Sequence, residues 1–180
     1  MTDREKLKDL LKERSLKIGD FVLASGKRSN YYFDSKLTTL TAEGAYLTGK
    51  CFFDVVRNEK IEADYIGGMT LGSDPIVTAA ALVSRIEGKP IDAFIVRKEE
   101  KGHGTKKWIE GPAETGKRTI IVDDVVTTGG STFKAIEKAE EFGLKVVAVI
   151  ALLDREEGGG EALSAKYPFY PIVRKSEIMG

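Results

Sequence analysis

The sequence is short of sulfur, histidine and charge imbalance. Its one cysteine, Cys51, has no partner for an internal disulfide, which points to a reducing compartment rather than a disulfide-stapled secreted fold. A single histidine, His103, removes any His-rich metal site. Lys+Arg and Asp+Glu stand at 28 each, so the net charge is zero, which argues against a general nucleic-acid or anionic-membrane binder. No apolar run approaches the roughly 18–20 residues of a membrane span. The first residues are charged from Asp3 onward, without the apolar segment of a secretory signal. These absences lead to the expectation of a soluble, cytoplasmic protein with no membrane and no nucleic-acid partner. What is present is ordinary for a globular chain: 180 residues, 42% apolar and 31% charged, read as one domain.

The local pattern predicts an α/β fold. Thr2 with Glu5 reads as a capping box ahead of Leu7, Leu10 and Leu11 at helical spacing, and Gly19-Asp20 is expected to break that helix. Phe21-Val22-Leu23 and Tyr31-Tyr32-Phe33 around a turn over 25–30 read as a hairpin. A helical stretch follows from Thr41 to about Asn58. Then short β-branched runs alternate with helices: Tyr65-Ile66, 93–96, 119–125 and 146–153 as strands, with helices opening at Asp74-Pro75 (Asp as N-cap) and near Ser131, the second closing at Gly143. Tyr170-Pro171-Ile172-Val173 reads as an edge strand. Continuous apolar strands alternating with helices imply a parallel sheet covered on both faces. Residues 97–117, interrupted by five glycines and prolines, read as one long loop of the kind that is usually functional.

Four segments carry chemistry at the carboxyl edge of such a sheet, where open α/β folds bind ligands. The first is the apolar strand ending in Asp123-Asp124, followed by Val125-Val126-Thr127-Thr128-Gly129-Gly130-Ser131. A Thr/Gly turn at a helix N-terminus presents backbone N–H groups and hydroxyls to a phosphate, while two carboxylates beside it accept hydrogen bonds from sugar hydroxyls. The second is Gly67-Gly68-Met69-Thr70-Leu71-Gly72-Ser73, suited to a further anion such as pyrophosphate and equally compatible with an ordinary glycine-rich turn. In the third, Arg97, Lys98, Lys101, Lys106 and Lys107 with His103 make a local basic field, read as a cover for a polyanion or as a solvated loop. The fourth is Leu153-Asp154-Arg155, where the guanidinium either grips a carboxylate or pairs with Asp154 or Glu156.

Val122 to Ser131 resembles the phosphoribosyl-pyrophosphate motif of type I phosphoribosyltransferases. The segment from Phe21 to Tyr32, the basic run at Arg97, Lys98, Lys101 and His103, and Leu153-Asp154-Arg155 are similar, in the same order, to the orotate phosphoribosyltransferase family. The resemblance implies a central parallel sheet flanked by helices, with a small N-terminal hood over about 1–40, a core over about 41–180 and a mobile loop over about 97–117. It implies transfer of the 5-phosphoribosyl group from phosphoribosyl pyrophosphate to orotate with Mg²⁺, giving orotidine 5′-phosphate and pyrophosphate in pyrimidine synthesis.

Carried onto this sequence, Asp123 and Asp124 hold the ribose hydroxyls, and the run Val125, Val126, Thr127, Thr128, Gly129, Gly130 and Ser131 holds the phosphoribosyl group. Arg97, Lys98, Lys101 and His103 contact pyrophosphate, with Lys101 and His103 acting in the closed state. Thr127 and Arg155 meet orotate, and Tyr32 and Phe33 are its expected neighbours. The metal has no dedicated protein ligand and rides mainly on the substrate. The family's loop closes over the neighbouring subunit's site, which implies a homodimer. Two positions depart from the family pattern: Ala24 stands where many members carry lysine, and Met69-Thr70-Leu71 supplies none.

Overall fold

A computed structural model describes residues 1–22, 28–99 and 107–179. Helix α1 (Asp3–Arg14) opens on the expected capping box. The Thr2 hydroxyl accepts from the Glu5 N–H at 3.2 Å, and the Glu5 carboxylate accepts from the Thr2 N–H at 2.6 Å. Its buried face is Leu7, Leu10 and Leu11. The helix ends earlier than Gly19-Asp20, at Ser15, and strand β1 (Leu16–Val22) pairs antiparallel with β2 (Arg28–Phe33). Gly19 and Asp20 instead occupy a register shift between Ile18 and Phe21, a bulge of the kind that interior strand glycines mark. Arg28 to Asn30, expected in the turn, already lie in β2.

A short helix α2 (Lys36–Thr39) leads to α3 (Ala42–Asn58), capped by the Thr41 hydroxyl, which accepts from the Gly44 N–H at 3.0 Å. Then come β3 (Tyr65–Met69), α4 (Asp74–Ile86), β4 (Asp92–Val96), β5 (Ile109–Glu110), β6 (Arg118–Val126), α5 (Gly130–Phe142), β7 (Lys145–Asp154), α6 (Gly159–Ser164), β8 (Phe169–Arg174) and α7 (Lys175–Met179). The six-stranded sheet runs β5-β4-β3-β6-β7-β8, parallel throughout except for β5. The proline-bearing strand β8 lies at one edge, as expected.

Both faces of the sheet are buried. Ile120, Val122, Ile150 and Leu152 point into a core shared with α1, α3 and α4, while Ile121, Val149 and Ala151 point into a second core with α5 and α6. Alternate residues of one strand feed different cores, so the strands read as continuous apolar runs rather than alternating ones.

Two expectations are corrected. The segment 97–117 is not one loop: Ile109 and Glu110 form β5 against Val96 and Ile95, and the Arg97 N–H donates to the Trp108 carbonyl at 2.9 Å. A two-residue edge strand is too short to leave a periodic signal. Asp74 is also not the N-cap of α4. Ser73 takes that position without a side-chain cap, because its hydroxyl donates to the Val122 carbonyl at 3.1 Å. Asp74 begins the helix and accepts from the Thr70 hydroxyl at 2.8 Å, with Pro75 in the same turn.

Candidate active site

The connection from β3 through α4 leads towards one edge of the sheet and that from β6 through α5 towards the other. Helix α4 packs with one core and α5 with the opposite one. The strand order therefore reverses between β3 and β6, and the crevice beyond their carboxyl ends is where open α/β sheets bind ligands. The loop after β3 lies against the end of β6: a Cβ on Gly72 would collide with the Asp124 carboxylate.

The two aspartates at the end of β6 differ in environment. Asp123 is buried. One carboxylate oxygen accepts from the Ser131 hydroxyl at 2.7 Å and the Thr132 hydroxyl at 2.6 Å, and the other from the Asp124 N–H at 3.0 Å. Burial, with the Asp124 charge adding to it, pushes its carboxyl up from 3.8 to about 6, against the pull of those two hydroxyls. Asp124 is half-buried at the lip, and Ser35 donates to its Oδ2 at 2.5 Å. Asp123 thus ties the first turn of α5 to β6, and Asp124 faces the crevice.

Thr127, Thr128 and Gly129 connect β6 to α5. Gly129 takes a left-handed conformation (φ +82°) as it enters the helix, open to glycine at low cost. The first N–H groups of a helix have no partner within it, so the α5 terminus presents donors and a partial positive charge at the end of this turn. A second turn braces it from beneath. The Arg155 N–H donates to the Val126 carbonyl at 2.9 Å, and the Gly159 N–H to the Thr127 carbonyl at 3.0 Å. Gly159 is packed so tightly that a Cβ would sit 2.7 Å from the Gly129 nitrogen and the Thr127 oxygen.

Arg155 leaves the end of β7 into a mostly buried position. It stacks over the Tyr31 ring at 4.6 Å and pairs with Glu157 at 3.0 Å. The pairing is with neither Asp154 nor Glu156: Asp154 accepts from the Glu156 N–H, and Glu156 accepts from Ser176. Burial is also the largest influence raising the Tyr31 hydroxyl pKa. The aromatic ring against Arg155 is that of Tyr31. Strand alternation turns Tyr31 inward and leaves Tyr32 exposed against Phe21.

The basic segment starts at the end of β4. Arg97 pairs with Glu110 at 3.2 Å and, with Lys98 and Thr70, lines a cleft of about 520 Å³. Its far stem is pinned to α5: Trp108 lies under Lys134 and Lys138, at 5.1 and 4.8 Å, and Lys134 also donates to the Lys98 carbonyl at 2.9 Å. Lys101 and His103 lie outside the described residues, as does Ala24. Thus the structure brings Asp123, Asp124, the turn 127–131 and Arg155 together, with Arg97 and Lys98 on the β4 side.

Three contributors were not singled out from sequence: Ser35, Tyr31 and Glu157. Ser35 meets Asp124 across 89 positions, and no local pattern encodes such a contact. Period-2 alternation in β2 was the available signal for Tyr31.

The model of the phosphoribosyl transferase domain family matches residues 69–169, from the last residue of β3 to the first of β8. An orotate phosphoribosyltransferase of Aquifex aeolicus (strain VF5) is 47% identical over 183 residues, covering 99% of each chain. The crystal structure of Mycobacterium tuberculosis H37Rv orotate phosphoribosyltransferase in complex with Fe(III) dicitrate is similar at a TM-score of 0.86 and 34% identity, over 98% of this chain and 99% of that one. The structure of the same M. tuberculosis enzyme in complex with 5-phospho-α-D-ribosyl 1-diphosphate is similar at a TM-score of 0.83 and 31% identity, over 99% and 100%. With the switch-point crevice, the paired aspartates and the braced Thr/Gly turn, these matches place the chain in a family: it belongs to the orotate phosphoribosyltransferases, within the type I phosphoribosyltransferase fold.

Proposed function

We propose that the chain transfers the 5-phosphoribosyl group from phosphoribosyl pyrophosphate to orotate, giving orotidine 5′-phosphate and pyrophosphate in pyrimidine synthesis. The observation that carries this is the junction at the end of β6. A carboxylate pair, a glycine-entered helix N-terminus and a mostly buried arginine meet there within one crevice.

In this reading the 5′-phosphate sits on Thr127 to Ser131, where the N–H groups at the start of α5 and the Thr and Ser hydroxyls donate to it. Asp124 accepts from the ribose hydroxyls. Asp123, already holding Ser131 and Thr132, fixes the phosphate turn and adds negative charge behind the sugar. That charge favours the positive character that builds at the anomeric carbon as its bond to pyrophosphate breaks. Arg155 grips the orotate carboxylate beside Thr127. Arg97 and Lys98, with Lys101 and His103 outside the described residues, take the growing charge on pyrophosphate and keep water from the activated sugar.

The crevice fits a Mg²⁺ borne by the substrate: Asp124 is a half-buried acceptor at the lip that would order the ribose hydroxyls holding the ion, and no group of three metal-ligating side chains occurs among the described residues. When bound, the ion neutralises charge on the leaving pyrophosphate.

We also infer a homodimer acting in the cytoplasm, with the basic segment of one chain serving its neighbour's site. A groove of about 590 Å³ between α3 and α4 supports association. It is rimmed by the exposed Leu40, Tyr46, Leu71, Leu82 and Ile86, and clustered apolar surface of this kind can mark an interaction site. The β1–β2 hairpin is read as the hood. The test of the main reading is loss of orotate absorbance with phosphoribosyl pyrophosphate and Mg²⁺, run beside adenine, hypoxanthine and uracil. Orotate turnover alone is expected, and its absence refutes the assignment.

A further inference from the structure

Arg155 is held by one oxygen of a neighbouring glutamate. Its Nη2 pairs with Glu157 Oε1 at 3.0 Å, and the same oxygen accepts from the Tyr31 hydroxyl at 3.4 Å. The neighbouring Nε is buried and, among the described residues, has no hydrogen-bond partner. The guanidinium edge that takes a planar carboxylate with two parallel bonds is formed by Nε and one Nη. Glu157 therefore engages that edge with one hand and leaves the costlier half unsatisfied. Its own side chain is 39% exposed against 12% for Arg155, so water can receive the glutamate if it leaves while the arginine stays in place. The Tyr31 ring at 4.6 Å keeps the guanidinium plane fixed meanwhile.

We propose that Glu157 is an affinity-setting gate on Arg155: its carboxylate competes with the orotate carboxylate for the guanidinium edge and is displaced into solvent when orotate binds. The exchange trades a single-oxygen, partly solvated ion pair for a two-bond one that also satisfies the buried Nε. A base without a carboxylate leaves the Arg155–Glu157 pair intact, so the competition falls on orotate alone. This rests on the orotate reading of the site. A gate and a prop make opposite predictions. If Glu157 merely held Arg155 in position, removing its charge would weaken orotate binding; as a competitor, its removal strengthens it.

The experiment is steady-state kinetics of Glu157→Gln and Glu157→Ala beside the unsubstituted protein, with unfolding midpoints as the folding control. The pair is solvated on its Glu157 side and joined through a single oxygen, so its contribution is modest and the KM for orotate is expected to fall by about two- to five-fold in both variants. Relief of competition acts equally on ground and transition states, so kcat is expected to stay unchanged. The KM for phosphoribosyl pyrophosphate should hold as well, and orotate selectivity over uracil should rise. An orotate KM that is unchanged or higher in both variants overturns the gate while leaving the orotate assignment intact. Failure of the unsubstituted protein to turn over orotate refutes that underlying assignment instead, and the gate with it.

Discussion

Replacing Asp123 with asparagine is expected to stabilise the protein at neutral pH and to do so only there. Burial raises the Asp123 carboxyl from 3.8 to about 6, so between roughly pH 4 and pH 6 the folded chain keeps a proton that the unfolded chain has released. Stability therefore falls as pH rises through that window, and the loss is complete by pH 7.5. A rise of roughly two pH units, at about 1.4 kcal/mol each, corresponds to a loss on the order of 3 kcal/mol. Asparagine removes the ionisation and keeps the geometry. Its carbonyl accepts from the Asp124 N–H, and the Ser131 and Thr132 hydroxyls, which donate to Asp123, can rotate to accept from the amide. The measurement is thermal unfolding of both proteins from pH 4 to pH 7.5. The stability advantage of Asp123→Asn over the parent should grow by about 2–3 kcal/mol across the range, roughly 4–12 °C in midpoint for a chain of this size. Parallel pH profiles would refute the reasoning. The same variant should lose activity, since the charge it deletes is the one set behind the sugar.

Other expectations follow from single contacts. Gly159→Ala drives a methyl into the backbone of Thr127 and Gly129, neither able to yield, so a loss of about 1–3 kcal/mol is expected together with a raised KM for phosphoribosyl pyrophosphate. A stable variant with unchanged KM would remove the brace from the account. Arg155→Ala deletes a charge-assisted contact of roughly 1.5–3 kcal/mol, so the KM for orotate should rise by about ten- to a hundred-fold with little change for phosphoribosyl pyrophosphate; unaltered orotate turnover contradicts its role. Leu82→Glu puts a charge into the apolar groove between α3 and α4 and should yield monomers in light scattering. If mass and stability stay as in the parent, that face is not the subunit contact.

What the sequence disclosed and what it hid divide by range. Thr2 and Glu5 act over three residues, Gly143 closes its own helix, and the alternation of apolar runs with helices is repeated along the chain. Each was readable because cause and effect are neighbours. The phosphate turn was readable for the same reason, being one strand end, one turn and one helix start in sequence. Ser73 gave up its capping role to reach Val122 on another strand, and β5 exists because two residues find the edge of β4. Ser35 on Asp124, Tyr31 under Arg155 and Gly159 beneath Thr127 are likewise tertiary. The run Gly158-Gly159-Gly160 read only as biased composition. In place, Gly159 has no room for a Cβ, and a Cβ on Gly160 would strike the Asp154 carboxylate.

The brace beneath the phosphate turn also orders events at the ribosome. Thr127 and Val126 are translated well before the N–H groups of Gly159 and Arg155 that secure their carbonyls. Until β7 is made, the outer edge of β6 has no strand to pair with, and it offers open hydrogen-bonding groups to any passing chain. Under the proposed reading, ligand affinity therefore arrives late, after some nine-tenths of the polypeptide has been synthesised. A chain cut short before Gly159 would retain the sequence motif in full and lack the support that gives it shape. Recovery of binding during refolding thus reports the docking of the carboxyl-terminal strands rather than the formation of the motif itself.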